Sequence, residues 1–192
     1  MASIAGDLRK VDDSMSHPAA ARDGTNGLLP RAALLSDLGA ATHAPSSILV
    51  CRIDQPQVIV DEHGAPVLER VVIALARLLK GTFGTDTRVY RTSTQCVAMF
   101  LPRSLPRQVA QQVRNAQARV APEYEYERNG VTRRVVFTFS SVITSSPGRT
   151  ARDSVVALER AEARAEAVQG LSQLQSESGA LGRLVGWLSP GR

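Results

Sequence analysis

The chain has 192 residues, 43% hydrophobic and 21% charged, with a mean hydropathy of −0.09 and a formal net charge of +5. That length supports one core with spare terminal sequence, and no apolar run approaches the ~20 residues that a membrane helix needs. The arginines are scattered between acids without a basic run, and aromatics make up only 4%, so nucleic-acid binding is a minor hypothesis.

The opening segment, "MASIAGDLRKVDDSMSHPAAARDG", mixes acids with bases and has no apolar h-region, so it does not read as a signal peptide. A cytoplasmic location is expected. Cys51 and Cys96 fall inside predicted strands and are expected to be buried, unreactive thiols. His17, His43 and His63 stand apart and there is no CxxC, so neither a metal site nor a cofactor is expected.

Residues 1–22 lack periodicity and read as a flexible arm. A helix is expected around "LLPRAALLSDLGAATH", with Pro30 near its start, Leu34, Leu35 and Leu38 on one side, and Gly39 as a stop. "SSILVCRID", Ser46 to Asp54, reads as a buried strand. In the next segment Leu68, Val71, Val72, Leu75, Leu78 and Leu79 recur at three- and four-residue steps, predicting a strongly amphipathic helix ended by Gly81. "TRVYRTSTQCVAMFLP" predicts a hairpin of Arg88–Arg91 with Cys96–Leu101. Its polar tip, Thr92 to Gln95, lacks the glycine, asparagine or aspartate that tight turns favour.

A more polar helix follows, with a narrow stripe of Val109, Val113, Ala116 and Val120. "YEYERNGVTRRVVFTFSSVIT" alternates around Asn129-Gly130, a strong hairpin signal. A last helix starts near Thr150, where Asp153 completes a capping-box-like pair. The element order, helix-strand-helix-hairpin-helix-hairpin-helix, predicts an α+β layer fold: a mostly antiparallel sheet flanked by helices. In the tail, residues 171–192, Leu181, Leu184, Val185 and Leu188 stand beside Trp187. They are expected to dock on their own domain, or else to anchor a partner.

From Asp23 to Gly170 this order, with particular residues, resembles the GGDEF domain of bacterial diguanylate cyclases and its nucleotidyl-cyclase-like fold. "DGTNGLLPRAALLSDL" is similar to the family's opening D-x-L-T-G-L-x-N-R-R at Asp23, Gly27, Leu28 and Arg31. "ILVCRIDQPQVIVDEHG" is similar to L-L-x-x-D-I-D-x-F-K-x-I-N-D-x-x-G at Ile53, Asp54, Ile59, Asp61 and Gly64. "RVYRTSTQCVAMFLP" falls on the signature hairpin R-x-G-G-D-E-F-A-x-x-L-P, and "VVFTFSSVITSS" resembles the family's V-T-x-S-I-G-V-A strand.

The resemblance implies what an active hairpin carries: glycines that let a GTP phosphate chain lie against the backbone, and acids that hold two metal ions for attack of a 3′-hydroxyl on the α-phosphate. Such chemistry needs hard oxygen ligands and close backbone approach. By that alignment Ser93 and Thr94 stand for the glycines, Gln95 and Cys96 for the acids, and Val97 for Phe. Arg52 stands for the metal-binding Asp of the strand, while Asp54 is kept. Val60 replaces the guanine-reading Asn, and Glu69 takes the place of a second base-reading carboxylate. A guanidinium close to a metal ion at ~4 Å costs several kcal/mol in a partly buried site. The inhibitory R-x-x-D motif would fall on Gly84 to Thr87, which has no arginine.

The resemblance therefore implies a catalytically inactive GGDEF-like module that acts through protein–protein contact in bacterial signalling, in the cyclic di-GMP pathway. The helix Pro106–Val120 and the Trp187 segment are the candidate partner surfaces. The alternative is a non-catalytic receptor for GTP or cyclic di-GMP in which Arg52 and Arg91 bind phosphate directly. Against that alternative, Arg52 is expected to pair with Asp54, Asp61 or Glu62.

Overall fold

The computed structural model describes residues 27–41, 46–119, 122–146 and 150–167. The arm 1–22 and the Leu181–Leu188 cluster lie outside them, as does Val120. The described residues form seven strands: β1 (Leu29–Pro30), β2 (Ser46–Ile53), β3 (Tyr90–Arg91), β4 (Cys96–Pro102), β5 (Glu123–Arg128), β6 (Val131–Val136) and β7 (Phe139–Ser146). The helices are α1 (Arg31–Ala40), α2 (Pro56–His63), α3 (Ala65–Phe83), α4 (Pro106–Arg119) and α5 (151–167). Five strands make one sheet in the order β1-β3-β4-β2-β7, antiparallel throughout except at the β1–β3 edge. β5 and β6 form a separate hairpin.

Strand alternation sends side chains to opposite faces, and each face is covered by two helices. Leu49, Cys51 and Ile53 of β2 join Val97 and Met99 of β4 under α3 and α4. Ile48 and Val50 pack with Tyr90 and Ala98 against Leu34 and Leu38 of α1 and Leu158, Ala161 and Ala165 of α5. Every residue of β2 is buried, as expected for a central strand covered on both sides. The Asn129-Gly130 turn has both residues at positive φ, the geometry that matches the twist of a two-residue hairpin. Thr150 caps α5: its hydroxyl accepts the Asp153 backbone N–H at 3.1 Å and donates to the Asp153 carboxylate at 2.8 Å.

Three boundaries differ from expectation. α1 passes Gly39 and ends at Ala40, because no positive φ is imposed at that glycine. α3 likewise runs through Gly81, and its stop is Gly84, at φ 110°, whose N–H donates to the Lys80 carbonyl. The segment after Asp54 holds a further helix, α2, preset by Pro56 at its first position and preceded by Gln55 in the left-handed region (φ 48°). Two turns of "PQVIVDEH" offer too few apolar positions to show a period; Pro56 and Ile59 alone are buried.

The α3 boundary is testable. A Cβ added at Gly81 would meet open space, so Gly81→Ala is expected to raise unfolding free energy by about 0.5–1 kcal/mol. Gly84→Ala is expected to lower it by about 1–2 kcal/mol through its positive φ. Urea unfolding of the two variants distinguishes this boundary from one at Gly81, which would reverse the signs.

Candidate functional site at the hairpin end of the sheet

The ladders align one row of side chains across four strand segments. Arg52 of β2 lies opposite Cys96 of β4 on one side and Ser140 of β7 on the other. Thr92 continues the β3–β4 register to Cys96, donating its N–H to the Cys96 carbonyl at 3.2 Å. The period-two alternation puts this row on the face covered by α1 and α5. Directly paired residues point the same way, so Thr92, Cys96, Arg52 and Ser140 meet at the hairpin end of that face.

Arg52 is only 9% exposed, and its Nε is buried with no hydrogen-bond partner among the described residues; the same holds for the Thr92 hydroxyl. The expected pairing of Arg52 with Asp54, Asp61 or Glu62 does not form. Asp54 instead accepts the Ser140 hydroxyl at 2.6 Å, Asp61 accepts the Gln57 amide at 2.7 Å, and Glu62 lies 3.5 Å from His63. The reason is directional: β2 sends Arg52 under α5, while Asp61 and Glu62 are exposed on α2. Ser140 was invisible as a partner in the sequence because 86 residues separate it from Asp54.

Arg91 points to the other side of the sheet and is engaged. Its guanidinium meets both carboxylate oxygens of Glu69 on α3, Nη2 to Oε2 at 2.6 Å and Nη1 to Oε1. It also donates to the Ser93 carbonyl at 3.1 Å and the Thr94 carbonyl at 3.3 Å. These bonds hold the tip from within, and neither Ser93 nor Thr94 takes positive φ. A glycine-free tip is thus built with an arginine as its internal brace. Val60 lies half-buried on α2, and its side chain has no hydrogen-bonding group to offer a base.

Both cysteines are free and buried. Burial pushes the Cys51 thiol well above its usual range. Burial also raises Cys96, against the Ser93 hydroxyl and the Arg52 charge that favour a thiolate; Glu162 and Glu166 of α5 add to the rise. Arg52 is thus a cationic neighbour that sequence spacing did not reveal, and desolvation outweighs it. Among the described residues no three histidine, cysteine or acidic side chains cluster so as to hold a metal ion.

A second concavity of about 500 Å³ lies at the opposite end of the sheet, lined by Asp37, Phe83, Asp86, Thr87, Arg88 and Tyr90 among others. It includes part of the Gly84–Thr87 turn. Arg88 reaches Asp37 there at 2.9 Å, and the Tyr90 hydroxyl donates to the same carboxylate.

Solved structures share this architecture. The GGDEF domain of DgcB from Caulobacter crescentus, in complex with c-di-GMP, superimposes with TM-score 0.64 over 79% of this chain and 90% of that one, at 21% identity. The chain has the GGDEF-domain fold. The FimX GGDEF domain from Pseudomonas aeruginosa matches at TM-score 0.58 and 19% identity, over 75% of this chain and 92% of that one. Diguanylate cyclase SiaD in complex with its activator SiaC, also from Pseudomonas aeruginosa, matches at TM-score 0.62 and 18% identity, over 77% of this chain and 58% of that one. No protein-family model matches the sequence, and no curated protein is similar to it. No helix among the described residues is long and apolar enough to cross a membrane.

The thiol environment makes a pH prediction. Cys51, Cys96 and Tyr90 all have folded-state pKa values above their unfolded ones, Tyr90 through burial and its bond to Asp37. Their contribution to stability is complete below the ordinary thiol range, and it declines above about pH 8.5 as the unfolded chain deprotonates first. Urea unfolding between pH 7 and about pH 10.5 is expected to show this loss, with both thiols reacting with Ellman's reagent only after unfolding.

Proposed function

We infer that this protein is a non-catalytic GGDEF-fold module that regulates through contact with another protein. The observation that carries it is Arg52, a buried guanidinium at the strand position where the family's metal-binding carboxylate stands by alignment. Phosphoryl transfer in that fold depends on cations held by hard oxygen donors. Here the row offers a guanidinium, a neutral thiol and hydroxyls, and Asp54 supplies a carboxylate nearby, its Oδ1 accepting the Ser140 hydroxyl. The cores on both sheet faces are nevertheless complete. A fold kept without the groups for its chemistry is suited to offering a surface. SiaD bound to its activator SiaC is one protein of this fold that engages a protein partner.

One observation supports a second reading, a receptor for GTP or cyclic di-GMP. The Arg52 Nε and Thr92 hydroxyl are buried polar groups on the same row with no partner among the described residues, and phosphate is an acceptor that suits a guanidinium. Arg91 is less suited to that role because Glu69 already occupies it. Arg88, the one cation among the described residues that line the Gly84–Thr87 cleft, is paired with Asp37 and so is less suited to a second phosphate.

Purified protein with GTP and Mg²⁺ or Mn²⁺ is expected to form no cyclic di-GMP, and any metal-dependent turnover by the unaltered protein would overturn the non-catalytic assignment. Calorimetry separates the two readings. Micromolar binding of GTP or cyclic di-GMP that Arg52→Ala weakens selects the receptor, and absence of heat selects the protein-contact module.

A further inference from the structure

The two helical layers differ in charge. By sequence α3 and α4 carry six basic residues and one carboxylate, Glu69, which Arg91 neutralises. The opposite layer, α1 and α5, carries four basic residues and five carboxylates. The β5–β6 hairpin balances three glutamates with three arginines. The two acids of α2, Asp61 and Glu62, are exposed and precede α3 in the chain. By sequence, the α3 and α4 layer therefore carries more excess positive charge than the α1 and α5 layer or the β5–β6 hairpin.

Helical spacing arranges it. Val71, Val72, Leu75 and Leu79 bury the inner side of α3, and Val109 and Val113 that of α4. Arg70 and Arg77 line the outer crest of α3, and Arg107 and Arg114 that of α4; all four are exposed. A seven-residue step returns to the same side after two turns, about 10.5 Å along the axis. Neighbouring helices pack with axes about 8–10 Å apart. None of the four arginines forms an ion pair among the described residues. Gln111 fixes one of them by accepting from Arg114 at 2.8 Å, while donating to Asn115 at 2.9 Å.

We propose that the outer face of α3 and α4 docks an acidic surface of a partner protein, with Arg77, Arg107 and Arg114 as its principal contacts. This rests on the protein-contact reading and adds where the partner sits and what charge it bears. Unpaired guanidiniums at regular helical spacing can meet carboxylates bidentately, and amides between them extend the polar pattern. A membrane surface fits less well: of the exposed large apolar side chains among the described residues only Leu105 adjoins α4, and none lies on α3. Nucleic acid also fits less well. The arginines spread over a two-helix layer rather than one projecting helix, and among the described residues no exposed aromatic is there to stack on bases.

The test compares two triple variants of the full chain with equal charge change. Arg77→Gln/Arg107→Gln/Arg114→Gln alters the proposed face, and Arg152→Gln/Arg160→Gln/Arg164→Gln alters exposed positions of α5. Binding of a fluorescein-labelled poly-glutamate peptide is read by anisotropy at ~50 mM salt, where surface charge is weakly screened, with circular dichroism to verify that both variants fold. Binding that the α3/α4 variant weakens by roughly tenfold or more and the α5 variant by less than about twofold supports the proposal. Equal weakening, no binding, or tighter binding of a random-sequence DNA duplex or phosphatidylserine vesicles overturns it. GTP turnover would sink the functional assignment alone, whereas loss of face specificity sinks this docking site alone.

Discussion

The hydrogen-bonded register of β2 between β4 and β7 is the constraint on which the rest of the structure depends. It aligns Arg52 with Cys96 and Ser140, although these residues are far apart in the chain. A shift of one residue in that ladder would exchange the two cores and move every group at the hairpin end to the other face. The buried length of β2 prevents such a shift, since all eight of its residues have committed surroundings. The chemistry of the hairpin end is therefore fixed by packing many ångströms away.

Packing in this molecule does not depend on acids at the hairpin end. Leucine, valine and isoleucine fill both sides of the sheet, so the fold does not need the carboxylates that a metal site would. At the hairpin, internal bracing replaces what glycine provides elsewhere: Arg91, anchored on Glu69, holds the Ser93 and Thr94 carbonyls. Meanwhile Arg52 remains inside with its Nε unsatisfied. An unpaired buried donor costs about 1–3 kcal/mol, a cost the two complete cores can bear. The unequal charge of the helical layers is a second consequence. Arg70, Arg77, Arg107 and Arg114 stand at exposed helix positions, which can vary without disturbing either core.

Much of the fold was legible in sequence, for physical reasons visible in particular elements. β2 showed itself as an apolar run, α3 by its three- and four-residue steps, and the β5–β6 turn by Asn129-Gly130. The order of these segments with a few marker residues was enough to point to the GGDEF fold. Local signals failed where geometry rather than composition decides. Gly39 and Gly81 looked like stops, yet only Gly84 takes the backbone conformation that ends a helix there. α2 was too short for periodicity to reveal. The composition of the hairpin end was readable, but its pairings were not. That Asp54 would take Ser140, Arg91 would take Glu69 and Arg52 would take neither Asp54 nor an acid of α2 depends on strand direction and register.

The metal exclusion proposed for this site is electrostatic: the guanidinium of Arg52 keeps divalent cations from the end of β2. Electron paramagnetic resonance of Mn²⁺ titrated into the protein with a non-hydrolysable GTP analogue measures it directly. Exclusion predicts the spectrum of Mn²⁺ with the analogue alone, unchanged by protein, and with Arg52→Asp the first sign of a protein-bound ion. A protein-bound Mn²⁺ signal from the unaltered chain, lost on substitution of Asp54, would contradict it.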